Sequence, residues 1–195
     1  LMEELLDTEL VKRAQQGESG AFDILVGRYQ TKVTQLVYRY VNDTDTAKDL
    51  VQDIFFKIFR NLVKFKGEAK FSSWLFRIAV NDCIDHIRRR KVRKEQSLDT
   101  WRESGFDVAD THKDRDVAAN LEASDERALI RGVMEQLPEG QRSVVVMKIY
   151  QDMTFDEISE ILEQPVSTIK SRLYKALNTL GSMMRQKQFI EGGGS

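Results

Sequence analysis

The sequence predicts an all-α protein in which two small helical domains are joined by an acidic, flexible linker. Apolar residues recur at three- and four-residue steps through most of the chain, as they do along one face of an amphipathic helix. No segment alternates apolar and polar residues over the length of a strand, and the 195 residues include only two prolines. An acidic stretch without helical periodicity separates the two periodic parts.

The N-terminal domain, residues 1–94, is expected to hold four helices. Turn signals separate them: Gly17 follows the first helix, Asn42 begins the break after the second, and Gly67 lies in a loop after the third. The predicted helices cover about 8–16, 22–40, 45–62 and 72–90. Such a domain lies near the lower end of self-sufficient size.

The linker is placed at residues 95–115, in a stretch rich in Ser, Thr and Asp that also contains Gly105. Helical periodicity returns near Val117 and predicts a second domain over 116–188, containing a helix-turn-helix. Residues 189–195 form a tail whose Gly-Gly-Gly-Ser end is typical of an engineered linker, so we expect it to be partly foreign to the natural chain.

The net charge of −1 hides a segregation of charge along the chain. Between Lys64 and Lys94 there are ten basic and three acidic residues, whereas residues 95–126 carry ten acids and three bases. Residues 164–188 carry five bases and no acid. Two basic blocks favour two modules that bind a polyanion such as nucleic acid, and ordinary solvated helix faces are the alternative.

The helix-turn-helix is predicted at residues 154–180. Residues 154–157 fit a capping box, Pro165 ends the helix that this box opens, and Ser167 is predicted to cap the next one. On a helical wheel the core side and the outer side of this second helix separate cleanly. The predicted core face is Ile169, Leu173, Ala176, Leu177 and Leu180, and the outer face is Lys170, Ser171, Tyr174, Lys175 and Asn178. A basic outer face suits reading of the DNA major groove, although helical hairpins with a polar face are common.

Other functional classes find little support in the sequence. The single cysteine, Cys83, excludes an internal disulfide and is expected to be a small packed side chain in a reducing, cytoplasmic setting. No apolar stretch approaches the roughly 20 residues of a membrane span. The two histidines are isolated, and we find no phosphate-binding loop, catalytic triad or metal-ligand cluster. Catalysis by this chain alone, a cofactor and a metal are therefore not expected.

Three sets of motifs resemble the extracytoplasmic-function sigma factors of bacterial RNA polymerase. Residues 137–139, 155–158 and 165–173 resemble their C-terminal promoter-reading domain. Residues 49–55 resemble the helix that docks on the polymerase clamp, and residues 71–81 resemble the promoter-melting helix. The motifs occur in the family's order. Ser167 stands where many members carry glycine, and Lys170 and Lys175 stand where some carry arginine.

The resemblance implies an initiation subunit that directs transcription from chosen promoters, while core polymerase supplies the chemistry. Residues implied to contact the −35 element are Thr168, Lys170, Ser171, Arg172, Tyr174 and Lys175. Residues implied to capture and melt the −10 element are Lys64, Lys66, Trp74, Arg77, Asn81 and Arg88. Residues implied to dock on core polymerase are Asp49, Gln52 and Asp53.

The implied partners are the clamp coiled coil and flap region of core RNA polymerase, promoter DNA and an anti-sigma factor. No small-molecule substrate is implied. A stand-alone helix-turn-helix regulator, which would bind duplex DNA without polymerase, is the alternative function.

Overall fold

The computed structural model describes residues 6–103 and 121–192, and within these ranges it contains helices and turns but no strand. The prediction of an all-α fold is confirmed. The elements are α1 (Asp7–Gln15), α2 (Ser19–Val41), α3 (Thr44–Asn61), a 3-10 turn (Leu62–Lys64), α4 (Phe71–Glu103), α5 (Leu121–Gln136), α6 (Glu139–Val145), a π-helical turn (Val146–Tyr150), α7 (Phe155–Leu162) and α8 (Val166–Gly192).

Local sequence signals explain where the first helices end. Gly17 follows α1 with φ +93°, a backbone conformation that glycine adopts without steric cost. Asn42 ends α2 in the left-handed region at φ 54°, which asparagine tolerates better than most residues. The carboxylate of Asp43 then accepts a hydrogen bond of 2.8 Å from the backbone N–H of Thr46 and caps α3.

Helix α4 is longer than the sequence analysis predicts. It runs from Phe71 to Glu103, so residues 95–103, which the sequence predicts to belong to the linker, are helical. Neither glycine nor proline occurs between Phe71 and Glu103, and nothing in that span forces the backbone out of helical geometry. Residues 104–115 of the predicted linker, residues 116–120 of the second domain and residues 193–195 of the tail lie outside the described residues.

The two helical halves pack against each other. Buried apolar side chains from both halves form one cluster, which includes Leu36 and Leu75 from the N-terminal half and Met147 and Ile158 from the C-terminal half. Helix α7 contacts α4, and the π-helical turn contacts α2. Cys83 is fully buried, which confirms the prediction that it is a packed side chain.

An arginine from each half binds the C-terminal end of a helix in the other half. The guanidinium of Arg77 on α4 donates hydrogen bonds to the carbonyls of Glu160 (2.7 Å) and Ile161 (3.1 Å) in the last turn of α7. The guanidinium of Arg142 on α6 donates to the carbonyl of Tyr40 (2.7 Å) in the last turn of α2. Helix C-terminal carbonyls lack partners within their own helix and carry partial negative charge, so both contacts are favourable.

The Arg142 contact is deeply buried. Only 6% of this residue is exposed, and burial lowers the pKa of its guanidinium. A cation taken out of water must be compensated by hydrogen bonds and by a favourable electrostatic environment. The Tyr40 carbonyl supplies both, since it accepts a hydrogen bond and lies at the negative end of α2.

Replacing Thr154 by alanine is expected to lower the free energy of unfolding by about 1 kcal/mol. The substitution removes the hydroxyl that accepts a hydrogen bond from the Glu157 backbone N–H at 3.2 Å and caps α7. Thr154→Ser keeps a hydroxyl at this position and is the matched control. Urea unfolding of both variants measures the difference, and equal stability of the two would contradict the capping role.

The contribution of this cap is also expected to depend on pH. Hydrogen bonds from the Thr154 backbone N–H and hydroxyl hold the pKa of the Glu157 carboxyl below its ordinary value of 4.5. Because the folded-state pKa is lowered, the stabilisation is present above about pH 4.5 and is lost as the pH falls through the lowered pKa. Urea unfolding should therefore give Glu157→Gln a lower free energy of unfolding than the parent protein near pH 7. The two free energies should converge as the pH falls below the lowered pKa.

Candidate nucleic-acid interface

The turn between α7 and α8 is built by a left-handed residue and a proline. Glu163 ends α7 at φ 52°, and the Ser159 hydroxyl donates a hydrogen bond of 2.5 Å to the carbonyl of Gln164. Helix α8 begins at Val166, and the Pro165 carbonyl accepts its first hydrogen bonds. The prediction that Ser167 caps α8 is wrong, because Ser167 lies inside the first turn of the helix.

The outer face of α8 is open to solvent. Lys170, Ser171, Tyr174 and Lys175 are all exposed, and 64% of Tyr174 is accessible. The opposite face is buried through Ile169, Leu173 and Ala176. The described outer face therefore offers two cations, a hydroxyl and an aromatic ring, which are groups that contact phosphates and base edges.

Leu177 does not belong to the buried face, contrary to the sequence prediction. Its exposed fraction is 43%. On a helical wheel it lies about 80° from Ile169, at the margin of the apolar stripe. The smaller angles of Leu173 and Ala176 bring those side chains into the core instead.

Two of the residues predicted to contact the −35 element are only half-exposed. Thr168 lies in the first turn of α8, and Arg172 lies against the start of α6. A Cβ atom placed on Gly140 would lie 3.0 Å from the Nη1 atom of Arg172, so the guanidinium packs closely on that glycine. Gly140 thus leaves room for Arg172 beside the helix-turn-helix.

The loop before α4 combines exposed lysines with an aromatic cluster. Lys64 and Lys66 are exposed. Between them along the chain lies Phe65, whose ring centroid is 5.0 Å from that of Trp74 and 5.9 Å from that of Phe71. Trp74 remains half-exposed, so an aromatic ring borders the lysine-bearing loop.

Three further residues of the predicted −10 set lie along α4. Asn81 is exposed. The side chain of Arg77 is engaged by the end of α7 and also forms an ion pair with Glu163. Arg88 forms a two-pronged ion pair with Glu139, through Nε at 3.1 Å and Nη2 at 2.6 Å. The Arg88 hydrogen bonds lower the pKa of the Glu139 carboxyl. Two of the predicted −10 residues therefore contact the C-terminal half.

An acidic stripe on α3 continues into an exposed apolar patch. Asp49, Gln52 and Asp53 are exposed, as the helical spacing predicts. One turn beyond Gln52, Phe56 is 60% exposed, and two turns beyond it Phe59 is 52% exposed. Of these two aromatic residues, Phe59 is predicted by helical periodicity to lie in the core of α3, and that prediction is wrong. Phe56 follows Gln52 by four residues and Asp53 by three, and Phe59 follows Phe56 by three, which is the spacing that continues the stripe.

Within the described residues, every helix is too short or too polar to cross a membrane.

Two family matches follow one another along the chain. The family described as Sigma-70 region 2 matches residues 25–93, which include the acidic stripe and most of the basic segment. The family described as Sigma-70, region 4 matches residues 127–180, which include the whole helix-turn-helix.

Curated relatives match the chain over nearly its whole length. The ECF RNA polymerase sigma-E factor of Escherichia coli K12 is 34% identical over 187 residues, covering 95% of this chain and 97% of that protein. The RNA polymerase sigma-H factor of Pseudomonas aeruginosa is 33% identical over 187 residues, covering 92% and 94% respectively.

Two solved structures share the fold. CnrH in complex with the cytosolic domain of CnrY superimposes with a TM-score of 0.68 at 24% identity, covering 92% of this chain and 97% of that one. The sigma factor RpoE in complex with the anti-sigma factor NepR, from Bartonella quintana, gives a TM-score of 0.59 at 21% identity, covering 84% and 96%.

Proposed function

Because this chain belongs to the extracytoplasmic-function group of RNA polymerase sigma factors, we propose that its two halves bind two separate elements of one promoter. The N-terminal half holds core polymerase and the −10 element, and the C-terminal half reads the −35 element. A sigma factor is an initiation subunit of RNA polymerase rather than an enzyme. The observation that carries the proposal is an exposed basic helix-turn-helix in the same chain as an exposed acidic docking stripe.

Docking on core polymerase is assigned to α3. The carboxylates of Asp49 and Asp53 and the amide of Gln52 face solvent and suit a basic coiled coil on the clamp of the largest subunit. Phe56 and Phe59 extend the stripe with apolar surface of the kind that forms the centre of a protein interface. We assign to the charged part the orientation of the chain and a share of the affinity through complementary charge, and to the aromatic part the apolar area that the interface buries.

Capture of the −10 element is assigned to the loop before α4 and to α4 itself. Lys64 and Lys66 hold the strand backbone through its phosphates, and the Trp74 ring offers a stacking surface to an unpaired base. The exposed amide of Asn81 supplies both a donor and an acceptor for a base edge. Unstacking a base costs a few kcal/mol, which the aromatic and amide contacts must offset.

Reading of the −35 element is assigned to the outer face of α8. Lys170 and Lys175 contact phosphates, and Ser171 and Tyr174 contact base edges in the major groove. Thr168 and Arg172 lie at the margin of this face, where Arg172 reaches the duplex beside the N-terminus of α6. The flap region of core polymerase is the proposed partner that holds this half in place.

Control by an anti-sigma factor is proposed from the likeness to RpoE, whose structure is a complex with such a protein. The cytoplasm, where RNA polymerase acts, is the proposed location of this chain.

The deciding experiment is transcription with purified core polymerase and a library of promoters. Promoter-specific transcripts are expected only when this chain is added. Transcripts that do not depend on the chain, together with tight binding of the chain alone to duplex DNA, would instead support a stand-alone regulator. The match of residues 25–93 to Sigma-70 region 2 favours the sigma factor.

The docking assignment predicts that Asp53→Lys weakens binding to core polymerase by roughly tenfold, or about 1.4 kcal/mol. The stability of the free chain should not change, because Asp53 is exposed. Asp23→Lys makes the same charge change at an exposed position on α2 and is the matched control. Titration of labelled chain with core polymerase measures the affinity, and equal affinity of the two variants would refute the assignment.

The −35 assignment predicts that Lys175→Ala lowers the affinity of the holoenzyme for promoter DNA without changing promoter preference. Loss of one phosphate contact should reduce the slope of log K against log salt concentration by about 1. Lys12→Ala removes an exposed lysine from α1 and is the control. An unchanged slope for Lys175→Ala would contradict the phosphate contact.

A further inference from the structure

Helix α1 has no role in the function proposed above, yet it is firmly held on the N-terminal half. Leu10 and Val11 are buried in the core. The carboxylate of Asp7 accepts a hydrogen bond of 2.7 Å from the Arg28 guanidinium and another from the Tyr29 hydroxyl. Because both buried packing and an ion pair fix α1, the C-terminal end of this helix can hold a neighbouring segment in place.

The last residue of α1 contacts the loop that carries the lysines of the proposed −10 surface. The Nε2 atom of Gln15 donates hydrogen bonds of 2.9 Å to the carbonyls of Leu62 and Phe65. A glutamine amide has two N–H donors, and both are used here. The two carbonyls lie on either side of Lys64 along the chain. One side chain therefore holds both ends of the turn from Leu62 to Phe65.

The turn held by Gln15 is the place where contacts with phosphates and with a base are proposed to meet. Lys64 lies within it and Lys66 follows it, and both are exposed. The Phe65 ring packs on Trp74, with 5.0 Å between the ring centroids. Fixing the backbone of the turn therefore fixes the lysines relative to the half-exposed Trp74 ring. A loop that is ordered before binding loses less conformational entropy when it binds.

We propose that Gln15 is a positioning residue for capture of a single strand. Its amide fixes the turn so that Lys64 and Lys66 meet the phosphates of the strand while a base stacks on Trp74. The proposal rests on the −10 role assigned to these three residues above. It extends the −10 surface to α1, which precedes residues 25–93, the range matched by Sigma-70 region 2.

The order of the loop is tested first, without DNA, by limited trypsin digestion of the full chain. Gln15→Met removes both donors and keeps the length of the side chain. Trypsin cleaves after lysine, so cleavage after Lys64 and Lys66 reports how often the loop opens. Relative to cleavage after Lys48 in α3, we expect Gln15→Met to speed this cleavage roughly three- to tenfold. An unchanged ratio overturns the proposal, since a general loss of stability would speed all three cleavages alike.

Two further variants make this result specific. Gln15→Glu keeps the shape of the side chain but can only accept hydrogen bonds at neutral pH, so it should behave as Gln15→Met does. Gln16→Met is the matched control, because it makes the same chemical change at the next residue, which is exposed. The control should change the cleavage ratio less than twofold. Equal acceleration by Gln15→Met and Gln16→Met would overturn the proposal.

Strand capture is tested with a single-stranded oligodeoxynucleotide of mixed sequence, whose binding to the full chain is followed by fluorescence anisotropy. Gln15→Met is expected to weaken binding roughly three- to tenfold, and Gln16→Met less than twofold. In a chain that already carries Lys64→Ala and Trp74→Ala, Gln15→Met should have little further effect, because it acts through those side chains. Losses that simply add would show that Gln15 does not act through the turn.

Failure of this proposal and failure of the −10 assignment give different results. If Lys64→Ala weakens binding of the oligonucleotide whereas Gln15→Met does not, the −10 surface stands and the positioning role is overturned. If the parent and all variants bind it equally, or none binds it, the −10 assignment fails. The role of Gln15 in strand capture then fails with it, and the cleavage ratio shows separately whether Gln15 orders the loop.

Discussion

The arrangement of the two halves depends on how helix C-termini are satisfied. Every α-helix leaves its last carbonyls without partners, and a helix end that packs against protein must find donors there. Helices α2 and α7 obtain theirs from Arg142 and Arg77, each supplied by the opposite half. Hydrogen bonds to charged donors contribute about 1.5–3 kcal/mol each. Because each half supplies an arginine to a helix C-terminus of the other half, separating the halves removes these hydrogen bonds from both helices.

This reciprocal arrangement determines which surfaces remain available. The outer face of α8 and the acidic stripe of α3 point away from the contact and stay exposed. The surface of α4 is divided: Asn81 faces solvent, whereas Arg77 and Arg88 face the C-terminal half. The surfaces proposed for docking on polymerase and for the −35 element therefore remain exposed in the packed form, whereas two residues predicted to bind the −10 element are engaged by the C-terminal half.

Local features could be predicted from the sequence because neighbouring residues determine them. The capping box at Thr154 and the break at Asn42 both appear where their side chains predict. The packing of the halves could not be predicted, because the Arg77 contact joins residues more than eighty positions apart and has no periodic signal. The exposure of residues at the margin of an apolar stripe, such as Leu177 and Phe59, could not be predicted for a related reason. Their burial depends on whether another helix covers them, which the wheel does not show.

The contact between Arg77 and the end of α7 bears on how such proteins are recombined. One way to change the promoter preference of such a protein is to replace its C-terminal half with that of another family member. This treats each half as an independent module. Here the groups that bind Arg77 are the Glu163 carboxylate and two backbone carbonyls of α7. Any family member with the same turn after α7 supplies the two backbone carbonyls. The carboxylate is supplied only by a member with an acidic residue at this position. A hybrid whose donor lacks an acid at this position would keep the two hydrogen bonds from Arg77 to backbone carbonyls but would lose the ion pair, so its two halves would pack less tightly. The choice of a family member that supplies the C-terminal half should therefore consider the residues that contact α4 as well as those on the outer face of α8.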